Sequence, residues 1–245
     1  MQYELIAEYK KRLRQKPNAE LSAEERQLLS FTLPQVFSKE NIGKTLLVTA
    51  LASTAIVGYW AVLSWIPPWI NQLVGNMAVQ ERSYTAIALN LGAITSALLV
   101  GVFIQILGRR LSFFITFVGA LVCCLGLFIT TRSYSNSVLI WAYFIGFFAV
   151  KAFSLLFIYV PELFETKLRA TAFGFCIQSG RVIAAIAALT GGQLIHAFGG
   201  SYAIAASVVS LFYIVGIVAS LFIKDATSDL LHNHSLEKLE ITSTT

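Results

Sequence analysis

From Val182 to Ile223 the chain carries no Asp, Glu, Lys or Arg, and a run of that length is far easier to bury in lipid than to keep in water. A membrane helix needs about 20 apolar residues, so this run holds two helices. Gly199-Gly200 divides them and suits a tight turn, which makes the last two spans a hairpin. A second uncharged run extends from Thr45 to Gln80. Here Pro67-Pro68 is expected to end the helix, because neither proline has an amide to donate. Trp65 and Trp69 flank that break and fit an interfacial aromatic belt. Of the 245 residues, 56% are hydrophobic and 13% charged, against about 25% charged in an ordinary soluble domain. The expected fold class is an all-α membrane protein with six transmembrane helices, near 45 to 66, 84 to 107, 111 to 131, 138 to 160, 170 to 198 and 202 to 223. A polar cytoplasmic segment (1 to 44) precedes this bundle (45 to 223), and a cytoplasmic tail (224 to 245) follows it.

The net charge of +5 does not point to nucleic acid, because the charges gather at helix ends and form no basic face. Nor do residues 1 to 44 form a signal peptide, which would have an apolar centre and a small-residue cleavage site. Leu5, Tyr9 and Leu13 recur one turn apart beside Glu8 and Arg12. That spacing fits either an amphipathic helix on the membrane surface or a solvated loop. Cys123, Cys124 and Cys176 all fall in apolar segments and offer neither a disulfide framework nor metal-ligand spacing. Basic residues are retained on the cytoplasmic side of a membrane. Of the 18 Lys and Arg, only Arg82 and Arg132 fall in connections on one side, while Lys151 and Arg181 lie inside spans and the rest collect on the other side. Both termini are therefore expected in the cytoplasm, with the chain in the inner or plasma membrane. Asn233-His234-Ser235 matches a glycosylation acceptor by chance on that topology.

An ionisable side chain inside a span is costly unless it faces a cavity or a partner, so Lys151 and Arg181 are the functional candidates. At 100° per residue Arg181 shares a face with Gly174, Gln178, Ala185, Ala188, Gly192 and His196. This stripe is small and polar, and it is expected to face the protein interior. There Arg181 and Gln178 either contact a solute or pair with polar groups that hold the bundle together. Lys151 shares its face with Phe144, Phe148, Leu155 and Ile158, an aromatic wall suited to a cavity for an organic or anionic solute. A lipid-facing lysine would instead have to snorkel a long way. No Asp or Glu lies inside a span, so no carboxylate offers itself as a proton carrier.

Enzyme signatures are absent: there is no Gly-x-Ser-x-Gly elbow, His-Glu-x-x-His helix, P-loop or pair of membrane carboxylates. Channel filters and voltage-sensor arginines are absent too. The residues imply no catalytic group, cofactor or metal, and a transporter is the leading class.

The loop after the second span runs Gly101-Val102-Phe103-Ile104-Gln105-Ile106-Leu107-Gly108-Arg109-Arg110. It resembles the major facilitator superfamily motif G-x-x-x-D-R-x-G-R-R, with Gln105 and Ile106 in place of the Asp and Arg. The loop after the fourth span runs Pro161-Glu162-Leu163-Phe164-Glu165-Thr166-Lys167-Leu168-Arg169 and continues to Gly174. It resembles the P-E-x-F-P-T-x-x-R-x-x-x-x-G signature of sugar and metabolite porters, with Glu165 where the family has Pro.

The resemblance implies the C-terminal six-helix half of a sugar or metabolite:proton symporter. The solute of such a transporter passes between two halves that rock about a central site. Implied partners are the bilayer, a small solute (sugar, organic acid or similar metabolite), and either an N-terminal half or a second copy of the chain. By the same resemblance, Gly101, Gly108, Arg109, Arg110 and Pro161 belong to the cytoplasmic gate and its motifs, with Glu162 and Arg169 in charge contacts at that end. Lys151, Arg181 and Gln178 are assigned to the solute cavity. A different class, a truncated or non-transporting membrane interaction protein that keeps the half-bundle, is the alternative.

Overall fold

The computed structural model describes residues 32–75 and 78–223, and every regular element among them is helical. In chain order these are α1 (Thr32–Val36), α2 (Ile42–Val74), α3 (Val79–Thr130), α4 (Asn136–Leu163), α5 (Arg169–Ala197), α6 (Tyr202–Ser210) and α7 (Tyr213–Ser220). Five stretches are long and apolar enough to cross a membrane, with α6 and α7 forming one of them. At 1.5 Å per residue the 28 residues of α4 extend about 42 Å, more than a hydrocarbon core of about 30 Å. The amphipathic segment at Leu5 to Leu13 and the tail with Asn233 lie outside the described residues.

The 52-residue α3 holds two passes. Gly108 breaks it with φ 73° and ψ 176°, a backbone conformation open to glycine and strained for any side chain. The chain folds back there, because Ser112 Oγ donates to the carbonyl of Phe103 at 3.2 Å, a contact that a straight helix would place about 13 Å apart. The arms 79–107 and 109–130 thus match the expected second and third spans. The expected final hairpin is also present. Gly199 (φ 64°) and Gly200 (φ 82°) turn the chain between α5 and α6, and the Gly200 carbonyl accepts a 3.0 Å bond from Gln72 Nε2.

Two expectations at the first span are corrected. The helix does not stop at Pro67-Pro68 but runs through both to Val74. Carbonyls deprived of proline donors are tolerated inside a membrane helix where neighbouring helices cover them. Trp69 is no belt residue either. It is 2% exposed and meets the Phe128 ring edge-on at 5.1 Å, because it lies on the inner face of a helix that continues past the prolines.

Helix packing follows the small residues. A Cβ on Gly92 would strike the Tyr143 carbonyl, and one on Gly146 would strike the Leu89 carbonyl. The first arm of α3 therefore crosses α4 backbone to backbone, clamped nearby by a 2.9 Å hydrogen bond between the hydroxyls of Thr95 and Tyr143. On the other side, α5 packs on α2 through Gly180, set against Ile56, and Gly191, set against Trp65. The elbow before α2 is tied to the bundle by Thr45 Oγ1, which donates to the Val36 carbonyl at 2.8 Å. Phe37 packs edge-on against Phe175 of α5.

Candidate solute pathway and gate

The candidate side chains fall at three places, Lys151, the Gln178–Arg181 pair and the Arg109–Glu162 pair, and the fold keeps them apart. Lys151 lies midway along α4 and is fully buried. Its Nζ stands 2.9 Å from the centroid of the Phe103 ring and 5.3 Å from that of Phe147, and it has no hydrogen-bond partner. The expected open cavity around Lys151 is thus closed in this structure, with the ammonium sandwiched between the first arm of α3 and α4. A ring face offsets part of the cost of an unpaired cation in an apolar interior, by about 2 kcal/mol when desolvated. Phe103 is the partner that sequence reasoning passed over. Its signal was present: Gly92, Ser96 and Phe103 share one helical face, and that face meets α4.

Arg181 and Gln178 do come together, Nη1 donating to Oε1 at 3.1 Å. Their face points the other way from expectation. Gly174, Gln178, Arg181, Ala185, Ala188, Gly192 and His196 are all exposed, while the buried side of α5 is Ala172, Cys176, Gly180 and Gly191. Small residues occur on both faces of α5, and those at Gly180 and Gly191 are the ones that seat α2. The polar stripe is left to whatever stands outside this bundle.

Arg109 and Glu162 meet at the end of the bundle rich in basic residues. Nε donates to Oε2 at 2.6 Å and Nη2 to Oε1 at 2.8 Å, a two-pronged fit of guanidinium to carboxylate. The reversal at Gly108 aims Arg109 at the final turn of α4. There Pro161 lies within the helix and Glu162 follows it. Arg169 does not share this pair. It opens α5 on the exposed side, its amide donating to the Glu165 carbonyl at 2.9 Å. Arg110, Gln105 and Ile106 are exposed, as is Gly101, beside which a Cβ would meet nothing within 4 Å. Cys123, Cys124 and Cys176 are buried free thiols. No group of His, Cys, Asp and Glu among the described residues could hold a metal ion.

A bundle of helices long and apolar enough to cross a membrane, with Arg109 of one connection clamped to Glu162 at a helix end, defines a multi-pass membrane protein. The sequence profile of the Major Facilitator Superfamily matches residues 5–189, and the chain belongs to that superfamily. It is 29% identical over 192 residues to the cis,cis-muconate transport protein of Acinetobacter baylyi, an alignment that covers 78% of this chain and 45% of that protein. It is also 21% identical over 176 residues to a Haemophilus influenzae protein named provisionally as a metabolite transport protein, covering 72% of this chain and 42% of that one. The chain spans less than half the length of these curated relatives. No solved structure matches it.

Proposed function

We propose that this bundle forms one wall of a secondary transporter for a small organic acid or similar metabolite, completed by a second six-helix bundle or a second copy of the chain. The observation that carries the proposal is the Gln178–Arg181 pair, held on a face of α5 that is otherwise small residues with His196 near its far end and that its own bundle leaves uncovered. An arginine in that position is stabilised only by water, a polar partner or an anionic ligand, and a face apposed to a second bundle supplies such an environment. The name of the Acinetobacter baylyi relative, a muconate transporter, favours a carboxylate over a sugar. In this reading Arg109 and Glu162 latch the cytoplasmic end, and both termini lie in the cytoplasm of a cell whose inner or plasma membrane holds the protein. The proton-coupling group is assigned to the completing bundle, since the two carboxylates of the described helices, Glu81 and Glu162, sit at the ends of α3 and α4 and none lies mid-span.

The exposed Gln105 and Ile106, where the superfamily motif has Asp and Arg, favour a second reading in which the bundle is retained by a membrane interaction protein without transport. Uptake of radiolabelled dicarboxylates and hexoses into vesicles separates the two readings. The chain co-reconstituted with a completing bundle should give saturable uptake of a dicarboxylate. Uptake of neither class under any pairing would leave the interaction protein standing.

A further inference from the structure

At the basic end of the bundle a cavity of about 590 Å³ opens between the start of α2, the end of α4 and the end of α7, within the roughly 300–1,000 Å³ range of small-molecule sites. Its chemistry is layered. Lys39, Glu40 and Lys44 are exposed at the lip, Tyr159 and Ala219 are buried, and Leu47 and Leu163 lie between them, with Phe222 exposed at the rim. The lip coincides with the membrane boundary, because the apolar run of the first span begins at Thr45 and that of the last ends at Ile223. Both lysines are exposed, and neither makes an ion pair among the described residues.

We propose that this cavity binds the headgroup and upper acyl chain of an anionic phospholipid, with Lys39 and Lys44 on the phosphate. Three features select that occupant. Below the lip the lining is Leu47, Ala50, Leu163 and Ala219 with Tyr159 as its one polar side chain, so a wholly hydrophilic solute is poorly matched, whereas an amphiphile matches both layers. The lip has a net charge of +1, two lysines against one glutamate, which complements a single phosphodiester better than it complements a zwitterion. Glu40 is an acceptor in need of donors, and the hydroxyls of a glycerol headgroup supply them. Basic pockets between helices at the cytoplasmic face capture lipid headgroups by this kind of contact.

The test uses the full chain in detergent micelles, titrated with phosphatidylglycerol and followed by native mass spectrometry and thermal unfolding. The wild-type chain should retain bound phosphatidylglycerol and melt at a higher temperature as its mole fraction rises. Each surface lysine is worth about 1 kcal/mol towards an anionic headgroup, so Lys39→Gln with Lys44→Gln should raise the half-saturating mole fraction roughly 30-fold. Lys167→Gln, at the same end but outside the cavity, should not. Leu47→Trp fills the apolar depth without touching a charge and should weaken binding as well, which covers the case of a double variant that fails to fold. The proposal is overturned by undiminished binding in both variants. Equal stabilisation by phosphatidylcholine or phosphatidylethanolamine would overturn it too, as would an equal effect of free glycerol 3-phosphate. So would a phosphatidylglycerol response that emerges only after residues 1–31 are removed, since the chain itself would then be the occupant.

Discussion

Lys151 Nζ lies 2.9 Å from the centre of the Phe103 ring and touches no polar atom. An interior cation held by ring faces alone is a net liability to the bundle, because breaking even with the surrounding apolar packing would require hydrogen bonds that it lacks. Lys151→Met, close in shape and neutral, should therefore raise the stability of the detergent-solubilised chain, by about 1–3 kcal/mol. Phe103→Leu should destabilise the wild-type protein more than it destabilises Lys151→Met. A double-mutant cycle on the two melting curves measures the difference, expected at about 0.5–2 kcal/mol. A coupling of zero would mean that the ring does not hold the ammonium.

The Arg109–Glu162 pair is partly open to solvent, with side chains 22% and 44% exposed, so its direct contribution to stability is below about 1 kcal/mol. Its effect should be seen in access. Glu162→Gln should leave the melting temperature nearly unchanged while a cysteine placed at Thr166 reacts several-fold faster with a maleimide. The exchange Arg109→Glu with Glu162→Arg should restore slow labelling. Fast labelling in the exchanged protein would rule out a latch made by this pair.

Gly146 has no room for a side chain, because a Cβ would strike the Leu89 carbonyl, and backbone cannot yield as a flexible side chain can. Gly146→Ala should cost about 2–4 kcal/mol through separation of α3 from α4. Gly101→Ala serves as the matched control. It meets open space and should be neutral or stabilising by up to about 1 kcal/mol, since alanine favours a helix more than glycine does. Equal effects of the two substitutions on thermal unfolding would contradict the close crossing.

Arg181 is exposed from the bundle, so Arg181→Leu should fold and unfold as the wild type does. In the completed transporter it should abolish carboxylate binding, and Arg181→Lys should weaken it about tenfold or more, retaining charge without the planar fork of donors. Isothermal titration with a dicarboxylate, run beside a melting curve, provides the comparison. Wild-type affinity in a folded Arg181→Leu protein would remove the residue from the solute pathway.

Hydropathy and charge located the spans and the last hairpin, because lipid leaves so little choice of where charges can go. The resemblance to the superfamily motifs singled out Arg109 and Glu162, although their mutual grip depends on the reversal at Gly108. The misplacements share one cause. Periodicity says that Gln178 and Arg181 lie on one face but not whether that face meets the chain's own bundle or another surface, and both faces of α5 have small residues. Likewise the intrinsic cost of Pro67 is local, while its tolerance depends on neighbours such as Trp69 and Phe128 that only the assembled fold brings together. Lys151 was recognised as anomalous, yet its ring partner belonged to a different helix.

The passage of α2 through Pro67 and Pro68 distributes stiffness unevenly across the bundle. Two consecutive rungs of its ladder lack the N–H that would bind the carbonyls of Leu63 and Ser64, so the final turns up to Val74 are tied to the rest of the helix by fewer longitudinal bonds. The first arm of α3 and its neighbour α4 are fused by backbone contact at Gly92 and Gly146, and the one proline of that pair, Pro161, falls in the final turn of α4, beyond the contact. Under load from either side of the membrane, this end of α2 should bend first while the fused pair moves as a beam, so that strain is concentrated at the Val74 end of the bundle, away from the Arg109–Glu162 pair.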